Sequence, residues 1–518
     1  MPARKRANRG KDKIAKTEEE NARLFILMGH IYAKKGDYGR AAQEFGKALE
    51  FDPENPVLLK NRGCMFFENG RNDEAFADFN RGLELAEDAQ TLYYRGLLFF
   101  IRDDYGKALA DYARALELDP GFADVLIGRA EIWIGEGDYD RALADYNKAI
   151  SLKPKNAGAF KDRGILYYRL KEPDKALEDF SAAVRLDPRD GEAWAYRARC
   201  RQERGELKKA EADFKKAVTL NPNDDDVHWS RAYLYMLKKE YDRCLKDLDR
   251  AISINPDNPM YHNSRGLAWF YKGDYTRAVE NHTRALELDG DNARVYIDRA
   301  DSYYEMAAFE KALADYSKAV SLLPRNPEKD TNYSVFNKRG VTYFRLGDND
   351  SAIADYTTYI KHNPEDGIAY HRRSVAYSKK GNLRKAKDDN ARFFSLRPDD
   401  IMAVEQRGEL YFLEEKFDQA VACFNKALEK NPRHILSLKH RGLARIKTGD
   451  LEQALADFNL VLSRERDMTA LAHRGQIFLI QEKPGKALAD LSEALAIEPN
   501  NPLLIQLHAM ARDMMLRN

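Results

Sequence analysis

A chain of 518 residues is too long for one compact core, so it holds several domains or a repeat array. Its 85 basic residues stand against 84 acidic, and the net charge of +1 gives no whole-molecule attraction to nucleic acid or to an anionic membrane. With 44% hydrophobic and 33% charged residues the composition is not that of a disordered chain, and the four cysteines, Cys64, Cys200, Cys244 and Cys423, stand too far apart for a disulfide framework or a zinc site.

Residues 1–21 come first. MPARKRANRGKDKIAK carries many bases with no apolar segment behind them, so it does not read as a secretory signal. It reads as a solvated, disordered lead-in, with a basic arm for nucleic acid or acidic lipid as the rival reading. No apolar run is long enough to span a bilayer, and a reducing, cytoplasmic setting is the default expectation.

From Ala22 to about Asn500 similar phrases recur: GDYGRAAQEFGKALEFDP, DDYGKALADYARALELDP, GDYDRALADYNKAISLKP, GDYTRAVENHTRALELDG. Pro120, Pro154, Pro188 and Pro222 are each 34 residues apart, and setting the phrases in register gives fourteen units. The eighth place of each is small (Gly63, Gly96, Ala130, Gly164, Ala198), and the twentieth is alanine in thirteen of fourteen, with Cys244 the exception. Facing small residues let two helix backbones approach closely, while larger neighbours such as Trp133 and Tyr146 fill the remaining space. A turn such as Gly36-Asp37, Gly137-Asp138 or Gly449-Asp450 separates the helices: glycine closes one in a left-handed conformation and aspartate caps the next. Eleven units end in proline at the thirty-second place, which stops the second helix. Nine units cover 22–326. Six extra residues, Pro327 to Asn332, form a lengthened connector, and five units cover 333–500. The last unit keeps the register although its turn reads Glu482-Lys483-Pro484. Residues 501–518 read as one more amphipathic helix, capping the apolar end of the stack.

This spacing of small, aromatic and proline positions resembles the tetratricopeptide repeat. The resemblance implies an all-α fold: a right-handed superhelical solenoid of about fourteen helix-turn-helix units of 34 residues with a C-terminal capping helix. It also implies that first helices line a concave wall where protein segments bind. The family's clamp for terminal carboxylates, lysine at the fifth place with asparagine at the ninth, is missing, since Lys60 is followed by Cys64, Lys161 by Ile165 and Lys439 by Leu443. Its inner asparagine ladder is missing too.

Two features depart from a plain array. The seventh place is arginine in thirteen units and the twenty-third is aspartate in eleven, and in a hairpin turning near the fifteenth place the two stand at one height. Arg129 with Asp145 and Arg163 with Asp179 therefore read as structural charge pairs, within a repeat or across the junction to the next; a ladder of arginines gripping an acidic ligand is the other reading. Asn281 and Cys423 replace the acid opposite Arg265 and Arg407. The second feature is the face made by the fifth, ninth and twelfth places of the first helices. It is apolar in the third unit (Tyr93, Leu97, Phe100) and the seventh (Trp229, Tyr233, Met236), and the eighth offers Leu267, Phe270 and Tyr271. Arg199 and Gln202 of the sixth unit add polar groups beside it. Such a face suits an amphipathic helix or an extended peptide; packing against neighbouring first helices explains it equally well.

No phosphate loop, paired histidine spacing or metal motif occurs, and the acidic residues follow the repeat, so neither a catalytic site nor a cofactor is expected. The reading is a scaffold or adaptor for protein or peptide ligands. A nucleic-acid-binding array using the basic arm is the alternative, and steep salt dependence separates the two.

Overall fold

The computed structural model describes residues 19–323 and 333–517. The connector expected over 327–332 and the basic arm up to residue 18 lie outside the described residues. Among those residues every regular element is a helix, twenty-nine in all. The first, α1 (19–34), starts ahead of the expected Ala22 and pairs with α2 (Tyr38–Phe51). The alternation continues to α27 (Met468–Ile480) and α28 (Pro484–Ile497), and α29 (Pro502–Arg517) follows. The chain divides into two compact units, one ending at Ile254 and one beginning at Asn255. Each holds seven helical hairpins, and the second also holds α29. Within a unit each hairpin packs on the next, and successive first helices lie side by side to make one wall.

The turns explain why the chain breaks where it does. Asp138 ends the turn of the fourth hairpin, and its carboxylate accepts from the Arg141 amide at 3.1 Å. Asp274 and Asp450 cap α16 (Tyr275–Leu288) and α26 (Leu451–Leu462) in the same way. The residue before each cap, at place fifteen, is left-handed in all fourteen hairpins. Eight are glycines, such as Gly137 at φ 78°, and six are not: Asp103, Lys171, Lys239, Ala307, Glu415 and Glu482. The hairpin imposes this conformation on side chains that resist it, at about 1–2 kcal/mol each. Ala307→Gly is therefore expected to raise stability by about 0.5–1 kcal/mol in denaturant unfolding, the gain being reduced by glycine's extra freedom in the unfolded chain. A lower stability would show that the exposed Ala307 methyl makes a compensating contact.

In the nine hairpins with glycine at place eight, the atoms closest to it belong to the side chain at place twenty-four, and not to the alanine side chain at place twenty. A Cβ on Gly96 would stand 2.5 Å from the Tyr112 ring, and one on Gly164 would stand 2.9 Å from Phe180. The alanines at place twenty, such as Ala108, Ala142 and Ala176, are wholly buried in the same interface. In the eighth hairpin the ring is an imidazole: His282 is fully buried against Gly266, and burial pushes it down to about 3, so it packs uncharged. At the end of the second unit α29 buries Leu504 and Ala511 against its neighbours and leaves Leu503, Met510 and Leu516 exposed.

Candidate functional site

Eleven hairpins carry the arginine of place seven and the aspartate of place twenty-three in a two-pronged contact. In the fourth, Arg129 donates from Nε to Asp145 Oδ2 at 2.8 Å and from Nη2 to Oδ1 at 2.7 Å. In the fifth, Arg163 does the same to Asp179, at 2.8 and 2.7 Å. Asp145 and Asp179 are buried, and the hydrogen bonds that Arg129 donates to Asp145 hold its guanidinium above its usual value. The arginine also reaches backward. Nη1 of Arg163 donates to Asn147 at 2.5 Å and that of Arg441 to Asn425 at 2.7 Å, while Arg299 finds the Thr283 hydroxyl at 3.1 Å. Each of those acceptors stands on the second helix of the preceding hairpin. One guanidinium thus clips its own hairpin shut and ties it to the one before. Where the acid is replaced the arginine keeps its place: Arg265 donates to Asn281 at 2.5 Å, and Arg407 lies over the Phe394 ring at 4.4 Å.

The wall residues fall into separate settings. On α5 (Ala89–Ile101) Tyr93, Leu97 and Phe100 are half-buried against the core cluster of Leu92, Tyr112 and Val125. The Tyr93 ring lies 5.2 Å from Phe122, and burial pushes its hydroxyl up to about 12. On α11 (Gly191–Glu203) Arg199 donates to the Ser230 hydroxyl, at 2.9 Å from Nη2, and to Asp226, both in the next first helix. The Oε1 of Gln202 is buried without a hydrogen-bond partner among the described residues. On α13 (Asp225–Leu237) Tyr233 is 47% exposed beside half-buried Trp229 and Met236. On α15 (Pro259–Lys272) Leu267 and Phe270 are half-buried and Tyr271 is 56% exposed, with the Phe270 ring 5.6 Å from that of Tyr271. The expectation joined the last two groups in one surface. They belong to different units, α13 to the first and α15 to the second.

A further place on the second unit's wall is not among the residues singled out from the sequence. Between α21 (Gly367–Lys379), α23 (Ile401–Leu413) and α25 (Ile435–Thr448) lies a cavity of about 460 Å³. Glu409 at place nine of α23 and His440 at place six of α25 face each other there, Oε1 to Nδ1 3.3 Å, with Leu410, Leu413 and Leu443 around them. Burial, reinforced by the charge of Glu405 and opposed by Lys379, pushes Glu409 up to about 7. Burial together with Lys439 pushes His440 down to about 4. The signal that could have found this pair is a place-nine to place-six contact that recurs between neighbouring first helices within a unit. Arg199–Ser230 and Asp301–Lys338 occupy the same two places.

Models described as tetratricopeptide repeat match residues 22–55, 89–122, 129–195, 201–267, 263–327, 337–401, 406–434 and 439–502. The chain belongs to the tetratricopeptide-repeat family. Among curated proteins, a 56-residue stretch is 36% identical to Hsp70-Hsp90 organizing protein 3 of Arabidopsis thaliana, 11% of this chain and 10% of that one. A 73-residue stretch is 34% identical to photosystem I assembly protein Ycf3 of Prochlorococcus marinus, 13% of this chain and 42% of that one. The chain thus spans from a tenth to about two-fifths of these relatives' lengths. A crystal structure of a tetratricopeptide repeat protein from Parabacteroides merdae superposes with a TM-score of 0.43 at 21% identity, covering 49% of this chain and 99% of that one. No helix among the described residues is long and apolar enough to cross a membrane.

Proposed function

We propose that this tetratricopeptide-repeat protein is a non-catalytic scaffold that binds peptide segments or helices of other proteins along its walls of first helices. The observation that carries the reading is the face of α13, where Tyr233 is 47% exposed next to half-buried Trp229 and Met236. Aromatic rings held on a rigid helix dominate binding hot spots and lose little side-chain freedom when covered, and a flexible thioether beside them adapts to an irregular partner surface. The arginine ladder supports protein over phosphate: its guanidiniums are engaged by buried aspartates, so they offer no open row of cations to a nucleic-acid backbone.

The test is retention of the natural partner from a native extract on the immobilised full chain. The Trp229→Ala/Tyr233→Ala pair on the first unit and the Phe270→Ala/Tyr271→Ala pair on the second are assayed separately. At least one pair is expected to reduce retention about tenfold or more, with helical content and melting unchanged. Full retention by both would make these faces packing surfaces. Retention that falls steeply between low and physiological salt would instead favour the basic arm and a phosphate-bearing partner.

A further inference from the structure

In the second unit the contact between place nine of one first helix and place six of the next pairs one carboxylate with a lysine and leaves another without a cation. In the ninth hairpin Asp301 holds place nine, and Lys338, at place six of the following first helix, reaches it with its ammonium group. Tyr316 adds its hydroxyl to Asp301 at 2.6 Å. That carboxylate is neutralised from within. Three hairpins later Glu409 stands at the same place, but the residue at place six is His440, and the contact is 3.3 Å between Oε1 and Nδ1. Among the described residues no lysine or arginine lies within ion-pairing distance of Glu409, and His440 Nδ1 is buried with no hydrogen-bond partner. A cavity of about 460 Å³ opens at this point, where the second unit's other place-nine carboxylate has its lysine.

We propose that this cavity receives a primary ammonium group, the lysine side chain of a bound peptide, with Glu409 as its counter-charge and His440 Nδ1 as a second acceptor. The proposal rests on the scaffold reading and names one side chain the wall would select. The cavity is several times the volume of a butylammonium group, and Leu410, Leu413 and Leu443 offer apolar surface for the methylene stem while the charged end meets the carboxylate.

The charges around the site balance in favour of a cation. On α23 Glu405 and Glu409 are both acidic, and burial pushes both upward. On α25 His440 is held uncharged by burial, and the Lys439 ammonium is taken by Asp467 at 2.8 Å. His434, just before α25, faces Glu405 at 3.6 Å. Lys379 on α21 lines the cavity and helps keep Glu409 ionised, but it forms no ion pair with it among the described residues. A ligand ammonium close to Glu409 would displace the proton that burial favours there. Binding should therefore strengthen as pH rises through about 7 and weaken below it.

The probe is N-acetyl-lysine methylamide, titrated into the full chain while the His440 ring resonances are followed by NMR. Its norleucine counterpart has the same stem length without the charge. The lysine compound should shift His440 saturably and bind about tenfold tighter than the norleucine compound. Glu409→Gln should remove that tenfold preference, and Lys379→Met, which deletes a like charge, should tighten the lysine compound about threefold when titrated at about pH 9, where Glu409 is ionised with or without Lys379. Because these variants move in opposite directions, poor folding of one leaves the other decisive. Equal binding of the two compounds, an unchanged affinity in Glu409→Gln, or a looser one in a folded Lys379→Met would overturn the proposal. Failure here with partner retention still lost in the α13 or α15 variants would remove the lysine site and leave the scaffold standing; an unaltered chain that retains no protein at all would remove the scaffold reading itself.

Discussion

Asp213→Ala is expected to lower the stability of the first unit by about 3–4 kcal/mol, the largest effect of any single change in that unit's arginine ladder. Asp213 is 2% exposed and serves two guanidiniums: Arg197 donates to it at 2.8 Å from both Nε and Nη2, and Arg201, one turn further along α11, donates at 2.7 Å. Removing the carboxylate leaves two shielded cations facing each other with no anion between them. The indole of Trp194, 4.4 Å from the Arg197 guanidinium, offers only a weak substitute. In the fourth hairpin Asp145 binds a single arginine whose side chain is 26% exposed, so Asp145→Ala should cost less, about 2 kcal/mol. The loss should be local, because each repeat contacts only its neighbours. Hydrogen exchange should accelerate in α11, α12 (Leu207–Leu220) and the adjoining helices, while the amides of α3 (Pro56–Glu68) keep their protection. Replacing the whole cluster by apolar residues, Arg197→Met with Arg201→Met and Asp213→Leu, should recover most of the loss, since the cost comes from unpaired charge and not from missing volume. A drop below about 1 kcal/mol in Asp213→Ala would mean that water reaches these arginines and that the ladder contributes little.

What the sequence makes legible is whatever the repeat must restate in every unit. The pairing of arginine at place seven with aspartate at place twenty-three is visible because both types recur in lockstep, sixteen residues apart. The backward reach of the same arginine is not visible, because its acceptor changes type from Asn147 to Thr283 to Asn425 and any short polar group serves. The turn at Glu482-Lys483-Pro484 lacks the glycine signal, yet Glu482 takes the left-handed conformation at φ 55°, because the packing of α27 on α28 outweighs the local preference. The cavity at Glu409 escapes the sequence for a different reason. Its two polar groups come from neighbouring repeats and from places whose residue types vary freely, so only the side-by-side packing of α23 and α25 brings them together. The exposed face of α13 is partly legible. Its spacing marks Trp229, Tyr233 and Met236 as one stripe, but only the packed structure separates the exposed Tyr233 from half-buried neighbours, and the similar stripe of Tyr93, Leu97 and Phe100 proves to lie against core.

Gly96→Val should be nearly as damaging as the loss of Asp213, at about 3 kcal/mol, through crowding and not through charge. A Cβ at Gly96 would meet Tyr112 Cε1 at 2.5 Å and Cδ1 at 2.8 Å, closer than side chains pack, so either the ring or the helix must move. The ring has little room. Tyr112 is fully buried, and its far end is held by the next hairpin, where Gly128 comes so close that a Cβ there would stand 3.1 Å from the Tyr112 oxygen. Glycine on both sides lets one tyrosine fill the space between two repeats. The fourth hairpin tolerates alanine at the equivalent place, Ala130 opposite Tyr146, but there the next hairpin presents Asp162 at place six and not a second glycine. Helix propensity works against the crowding: alanine gains about 1 kcal/mol over glycine in a helix interior and valine considerably less. Gly96→Ala should therefore cost only about 1 kcal/mol net, and the step to valine should expose the full penalty. The measurement is denaturant unfolding of the full chain with exchange protection read in α5 and α6 (Tyr105–Leu118). Two substitutions with equal effects would show that the Tyr112 ring can swing aside, and that close approach at place eight is a convenience of the helix pair and not a condition for it.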